Sequence, residues 1–246
     1  MSPLFVLLYA AAASSQAALP VATVEFRDHS PGVRHATLLD GGAEAFEVDL
    51  TRIELQVIEA RAQGRPSSVV SELGPVAKAL FAVNGGYFDE RGRPLGLLVS
   101  QSRPLNRLRR TDWGVLSVDG GGRAALVHTR DYKPKATTEF AMQAGPRLVV
   151  DGEILKLKPQ WDRRTAIGIT TDPHRVVIVV TRTAVSLDAL AHLFKDALGC
   201  PFALNLDGGS STQLWADGTG LTAIPGFAVA NAVAAVPRVS AASKGP

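Results

Sequence analysis

Short apolar runs that stop on glycine-rich or Asp-containing turns recur along this chain, and they leave little room for long helices. Residues 113–118 and 123–128 flank Asp119-Gly120-Gly121-Gly122, a strong hairpin signal. A second hairpin is expected at Asp172-Pro173-His174, between apolar runs at 165–169 and 176–180. Across residues 47–60, Val48, Leu50, Ile53, Leu55 and Val57 keep close to period two, which predicts a strand with one covered face. Residues 21–27, 34–39, 94–100 and 227–236 read as further strands. The period changes twice. Val69, Val70, Leu73, Val76, Ala77 and Leu80 are spaced for a helix over 67–80, with Ser67 or Ser68 suited to cap it and Gly74-Pro75 placed to kink or divide it. Residues 187–198 form the clearest helical pattern, opened by Ser186 and closed by Gly199. Hairpins outnumber regular β-α alternation, so the expected fold class is α+β. It would be a single domain with a mixed, largely antiparallel sheet flanked by helices, and a cleft where loops meet at strand ends. A chain of 246 residues, 46% of them hydrophobic, is long enough to bury such a core.

Two of the turns carry chemistry. In residues 202–215 (FALNLDGGSSTQLW) an apolar strand delivers Asp207 onto Gly208, Gly209, Ser210, Ser211 and Thr212. Glycines without a Cβ let backbone N–H groups converge on an anion, and three hydroxyls follow. A plain polar turn would need neither the hydroxyls nor the Asn205-x-Asp207 pair. Residues 81–89 (FAVNGGYFD) repeat strand, Asn84, Gly85-Gly86 and an acid, with Tyr87 and Phe88 in place of hydroxyls. Asn84 offers both a donor and an acceptor, and the aromatics suit a sugar face. The run Gln143-Ala144-Gly145-Pro146-Arg147 is a rigid loop able to hold Arg147 for bidentate contact with phosphate or carboxylate. Arg164 enters the apolar strand that follows it, which suits a buried, aimed charge.

These stretches, NGGYFD, QAGPR, RTAIG (164–168) and NLDGGSST, resemble the phosphodiester glycosidase family, which includes the lysosomal enzyme that uncovers mannose 6-phosphate by removing N-acetylglucosamine from a phosphodiester. The resemblance runs from about residue 24 to 236, with the motifs in the family's order. It implies hydrolysis of a sugar-1-phosphodiester at the bond between the anomeric carbon and phosphate oxygen. Such a reaction needs a carboxylate at an oxocarbenium-like centre and charge neutralisation at the leaving phosphate. Asp207 is the candidate carboxylate, as nucleophile or general base. Arg164, then Arg147, would neutralise phosphate, with donors from Gly208, Gly209, Ser210, Ser211 and Thr212. Asn84, Gly85, Gly86, Tyr87 and Asn205 would shape and orient the sugar site. A phosphate leaving group needs no strong general acid, and Asp89 and Asp112 are the available second acids. A non-catalytic module binding an envelope carbohydrate or polymer is the alternative. A serine hydrolase is disfavoured, because G-x-S-x-G is absent.

Composition narrows the partners. The formal net charge is +3 and, residues 103–110 apart, the basic side chains are scattered, so no nucleic acid partner is expected. Cys200 is the single cysteine, which excludes an intramolecular disulfide and suits a small buried hydrophobe. The five histidines lack zinc-ligand spacing. Asp89-Glu90-Arg91-Gly92 could ligate calcium, but one carboxylate-rich turn does not establish a metal, and no cofactor is assigned. Residues 1–17 read as an export signal, with an apolar run at 4–13 and a small-x-small end at Ser15-Gln16-Ala17. They are too short and too polar at that end for a membrane span. The expected organisation is a signal at 1–17 and one domain at 18–246, periplasmic or secreted, acting on a sugar-phosphate or envelope glycan. Nothing in the sequence bears on oligomeric state.

Overall fold

The alternating run at 47–60 is two strands in different sheets. In this computed structural model, which describes residues 24–218, 221 and 223–238, Ala43–Asp49 and Ile53–Glu59 are parted by a turn. The Asp49 carboxylate fixes that turn by accepting from the Thr51 N–H at 3.0 Å and the Thr51 hydroxyl at 2.6 Å. An Asp that bonds the backbone two residues on stabilises a reversal locally, and the apolar positions on either side then face the same core from two directions.

The larger sheet has eight strands, in the order Arg27–Ser30, Val33–Leu38, Ala43–Asp49, Arg175–Thr181, Thr165–Ile169, Phe202–Asn205, Arg147–Val150 and Glu153–Ile154. A four-stranded sheet runs Leu214–Ala216, Phe81–Asn84, Asn231–Pro237, Ile53–Glu59. A five-stranded sheet runs Arg103–Asn106, Leu98–Ser100, Thr138–Ala144, Gly114–Asp119, Ala124–His128. Trp161–Asp162 and Val185–Ser186 form a small ladder apart. The three larger sheets pack their apolar faces on one core that includes Phe46, Val48, Leu55, Phe81, Leu116, Phe140, Ile167, Ile178 and Leu204. Phe46 of the eight-stranded sheet stacks on Phe81 of the four-stranded one, ring centroids 4.1 Å apart and planes 15° from parallel. Truncating either fully buried ring to alanine should cost about 3–5 kcal/mol.

The expected helix-flanked α+β fold is overturned: every ladder between described strands is antiparallel, and the helices are short. The protein is mostly β. Val70–Val76 spans seven residues, because Pro75 brings no N–H and Lys78 turns to φ 52°. Its N-cap is Val69, not a serine, and Ser68 instead donates to Glu72. Gly74 is where Trp215 lies, since a Cβ there would stand 2.3 Å from Trp215 Cε3. The second helix begins as expected, with the Ala189 N–H donating to Ser186 Oγ at 3.0 Å. It is α-helical only over Leu187–His192 and closes through a π turn at Leu193–Ala197. Leu187, Leu190, Ala191 and Phe194 cover the outer face of the eight-stranded sheet, where a Cβ on Gly168 would lie 2.5 Å from the Phe194 ring. Cys200 is buried beside them, and burial pushes its thiol up to about 12. The candidate export signal at residues 1–17 lies outside the described residues.

Candidate active site

The ends of Phe81–Asn84 and Phe202–Asn205, in different sheets, are stitched together by one side chain. Asn84 is fully buried, and its Nδ2 donates to the Asp207 carbonyl at 2.7 Å. Its Oδ1 accepts from the Thr165 hydroxyl at 2.6 Å and the Gln213 N–H at 3.1 Å. The Asp207 N–H returns a bond to the Gly85 carbonyl at 3.2 Å. Asn84 thus spends its amide on protein groups, and what it fixes is the backbone at Asp207.

The Asp207 carboxylate is half-buried and accepts from the Gly208 N–H at 2.9 Å. Burial raises its pKa above the ordinary carboxylate value; the Ser211 hydroxyl and the Gly208 N–H, which favour the anion, offset part of that. Arg164 lies against the same turn, its guanidinium Nη1 3.8 Å from the position a Gly208 Cβ would take. Its Nη2 donates to the Gln160 carbonyl at 2.8 Å, and its backbone is held on both sides by Thr181. Arg164 is 8% exposed, its Nε is buried without a hydrogen-bond partner, and among the described residues it forms no ion pair. Burial lowers its pKa, against the opposing pull of Asp162 and Tyr87. A desolvated cation with an unfilled donor is set up to receive an anion.

The glycine turns are tighter than an anion cradle would be. Gly209, at φ 62°, donates its N–H to the Arg163 carbonyl at 2.8 Å, while the Ser211 and Thr212 N–H groups bond back to Gly208 and Gly209. With Gly208 committed to the Asp207 carboxylate, these four amides serve the turn itself. Ser210 is exposed and accepts from the Phe227 N–H through its carbonyl, Ser211 is half-buried, and Thr212 is buried with its hydroxyl unpartnered. In the other motif, Gly85 and Gly86 are approached by Asn231. Its Oδ1 accepts from the Gly86 N–H at 2.8 Å and its Nδ2 donates to the Gly86 carbonyl at 3.2 Å. A Cβ on Gly85 would meet that Oδ1 at 2.1 Å.

Tyr87 joins this centre to an open cleft. Its hydroxyl donates to the Gly145 carbonyl, and its pKa is pushed up to about 12 by burial and then by the Asp207 charge. Asn205, also buried, donates to the Gly145 carbonyl at 3.1 Å and the Leu206 carbonyl at 2.6 Å, leaving its Oδ1 without a partner. Tyr87 packs on Trp113, ring centroids 4.9 Å apart. The cleft, of about 580 Å³, runs from Tyr87, Trp113 and the cis Gly145-Pro146 peptide to Lys156, Lys158 and Gln160. Arg147 is not brought to Asp207 by any hydrogen bond or ion pair. Its stem lies over Gly114, Cγ 2.7 Å from where a Cβ would be, and it sits in the field of Asp112.

Sequence reasoning missed Asp162, whose Oδ2 lies 2.8 Å from the Cβ position of Gly209, on the turn that follows Asp207. It also missed the supporting amides of Gln213 and Asn231. Asp89 is occupied by the Arg91 and Arg93 N–H groups and the Arg93 guanidinium, and Asp112 by His128 at 2.8 Å, both with pKa values held below the carboxylate norm by those donors. Among the described residues no three His, Cys, Asp or Glu side chains converge as a metal-binding set.

The family model for phosphodiester glycosidases matches residues 77–236. Among solved structures, the zebrafish N-acetylglucosamine-1-phosphodiester α-N-acetylglucosaminidase catalytic domain, auto-inhibited by its pro-peptide, superposes with a TM-score of 0.66 at 17% identity, over 88% of this chain and 87% of that one. A hypothetical protein from Synechocystis superposes with a TM-score of 0.63 at 16% identity, over 87% of this chain and 64% of that one. At these identities the likeness is one of fold. A search among curated proteins gave no match. Both sequence motifs, NGGYFD and NLDGGSST, fall inside the matched span, and the chain belongs to the phosphodiester glycosidase family.

Proposed function

We propose that this protein hydrolyses the glycosidic bond of a sugar-1-phosphodiester, releasing free sugar and a phosphomonoester. The observation that carries this reading is one turn that holds the half-buried Asp207 carboxylate and has, packed against its Gly208, the buried guanidinium of Arg164, with an unfilled donor and no ion pair among the described residues. Arg164 receives the phosphodiester oxygens and stabilises the charge that builds there as the C1–O bond breaks. Asp207 acts at the anomeric carbon, as nucleophile or as base to the attacking water. The bonding electrons leave on the phosphate oxygen, which is weakly basic and needs little help from an acid. Tyr87 and Trp113 orient the sugar or its aglycone at the cleft mouth. Asn84, Gly85, Gly86 and Asn205 are positioning residues, as are the amides of Gly208, Gly209, Ser211 and Thr212. Ser210 lies on the exposed side of the turn. Residues 1–17 act as an export signal ahead of a domain at 18–246, which places the activity in the periplasm or outside the cell.

The test is to incubate the chain and its Asp207→Asn variant with sugar-1-phosphodiesters, including N-acetylglucosamine-1-phosphate esters, and to measure free sugar and phosphomonoester. Turnover should fall by about 10²–10⁴ in the variant with the fold intact. Undiminished release would remove Asp207 from the mechanism. Binding without any release by the unmodified chain would favour a carbohydrate-binding module.

A further inference from the structure

Lys156 and Lys158 line the cleft that opens beyond Tyr87. Both are exposed, with half-buried Leu157 between them. Among the described residues neither ammonium has an ion-pair partner, and the one carboxylate lining the cleft, Asp112, is engaged by His128 and lies in the fields of Arg147 and Arg130. Phe88, Leu95 and Trp113 line the same cleft. The volume, about 580 Å³, is in the range of sites that enclose a ligand considerably larger than one phosphodiester group.

We propose that this cleft binds an anionic length of glycan: a saccharide chain attached to the scissile diester that carries a second anionic group, phosphate or carboxylate, held by Lys156 and Lys158. This inference rests on the proposed glycosidase reading and names its substrate class. Two unpaired cations beside a low-dielectric wall focus an attractive field, and the aromatic faces suit the apolar faces of sugar rings. Arg164 is separate from this pair, since on the proposed reading it holds the reacting phosphate, yet Gln160 links the two: its carbonyl accepts from Arg164 and the residue lines the cleft.

The test uses calorimetric titration of the Asp207→Asn chain, and of the unmodified chain, with a four-unit sugar-1-phosphate oligomer, a hexuronate tetramer and a neutral glucose tetramer. At low salt the anionic probes should bind about tenfold more tightly than the neutral one, with the preference shrinking as ionic strength rises. The Lys156→Gln/Lys158→Gln variant should lose that preference. The two anionic arms then tell phosphate from carboxylate. Equal affinity for all three probes, or a preference that survives in the double variant, would overturn the proposal. Selective anion binding by a chain that hydrolyses no phosphodiester would sink the glycosidase reading and leave the cleft assignment standing. Hydrolysis of simple diesters without anionic preference would do the reverse.

Discussion

Asn84 and Asp207, 123 residues apart in sequence, are joined by a 2.7 Å hydrogen bond from the Asn84 side chain to the Asp207 carbonyl. The same amide accepts from Thr165 and Gln213, so one buried side chain sets three segments in register around Asp207.

Asn84→Ala should therefore strand two donors and one acceptor. Leaving buried polar groups unpaired costs about 1–3 kcal/mol apiece, not additively. Urea unfolding should show a loss of that order. Asn84→Asp keeps the two acceptor contacts but cannot donate to Asp207, and its charge repels the carboxylate. It should lose at least as much stability as the alanine variant, because it buries an uncompensated charge, and more than tenfold in kcat. Equal kcat in the aspartate variant and the unmodified chain would show that the donation to Asp207 is dispensable.

The raised pKa of Asp207 carries a sign for both activity and stability. As nucleophile or base it must be ionised, so the acid limb of the kcat/KM profile should lie above the ordinary aspartate value. A group whose folded pKa is raised binds protons more tightly when folded. Its contribution to stability is therefore greatest below the unfolded value and is lost as pH rises through the folded one. Asp207→Asn should accordingly be more thermostable than the unmodified chain at neutral pH, with the gap closing in acid. Scanning Tm of both proteins across pH checks the sign.

The proposed role of Arg164 at phosphate would come with a stability cost, since the side chain is buried with an unpartnered donor. Arg164→Gln should reduce turnover by about 10²–10³ through loss of charge stabilisation at phosphate. Because it removes a buried cation that no carboxylate pairs, denaturant unfolding should show little or no destabilisation. A large drop in stability with turnover preserved would recast Arg164 as structural.

Gly85 and Asn231 are in steric contact that only glycine allows. A methyl group on Gly85 would meet Asn231 Oδ1 at 2.1 Å, so Gly85→Ala should cost about 1–3 kcal/mol. Asn231→Ala alone leaves the Gly86 N–H and carbonyl unpaired, yet in the double variant it relieves the clash. A double-mutant cycle should thus give a coupling energy favouring the pair over the sum of the singles.

What the sequence disclosed was local, and what it withheld was long-range. The Asp119-Gly122 hairpin, the strand at Thr165–Ile169 and the Ser186 cap each follow from neighbours in the chain. The fold class does not, since whether an apolar strand is covered by a helix or by another sheet depends on partners such as Asn231–Pro237 against Phe81–Asn84. The motif residues stand out by composition, but their duties depend on who meets them. The two Gly-Gly pairs look like openings for a ligand and are closed by Asn231 and by their own turn. Asp162 gave no signal, because an exposed Asp after a Trp resembles any solvated turn until Gly209 is folded beside it.

The clasp of Asn231 on Gly86 reaches 145 residues back along the chain, from the final strand described to the first motif. A nascent chain that has made every other residue of the centre still lacks that clasp, and the strand that supplies it also separates Ile53–Glu59 from Phe81–Asn84. Order of synthesis and order of assembly therefore diverge: Ile53–Glu59 and Phe81–Asn84 are made first, and they are joined only when the last described strand is inserted between them.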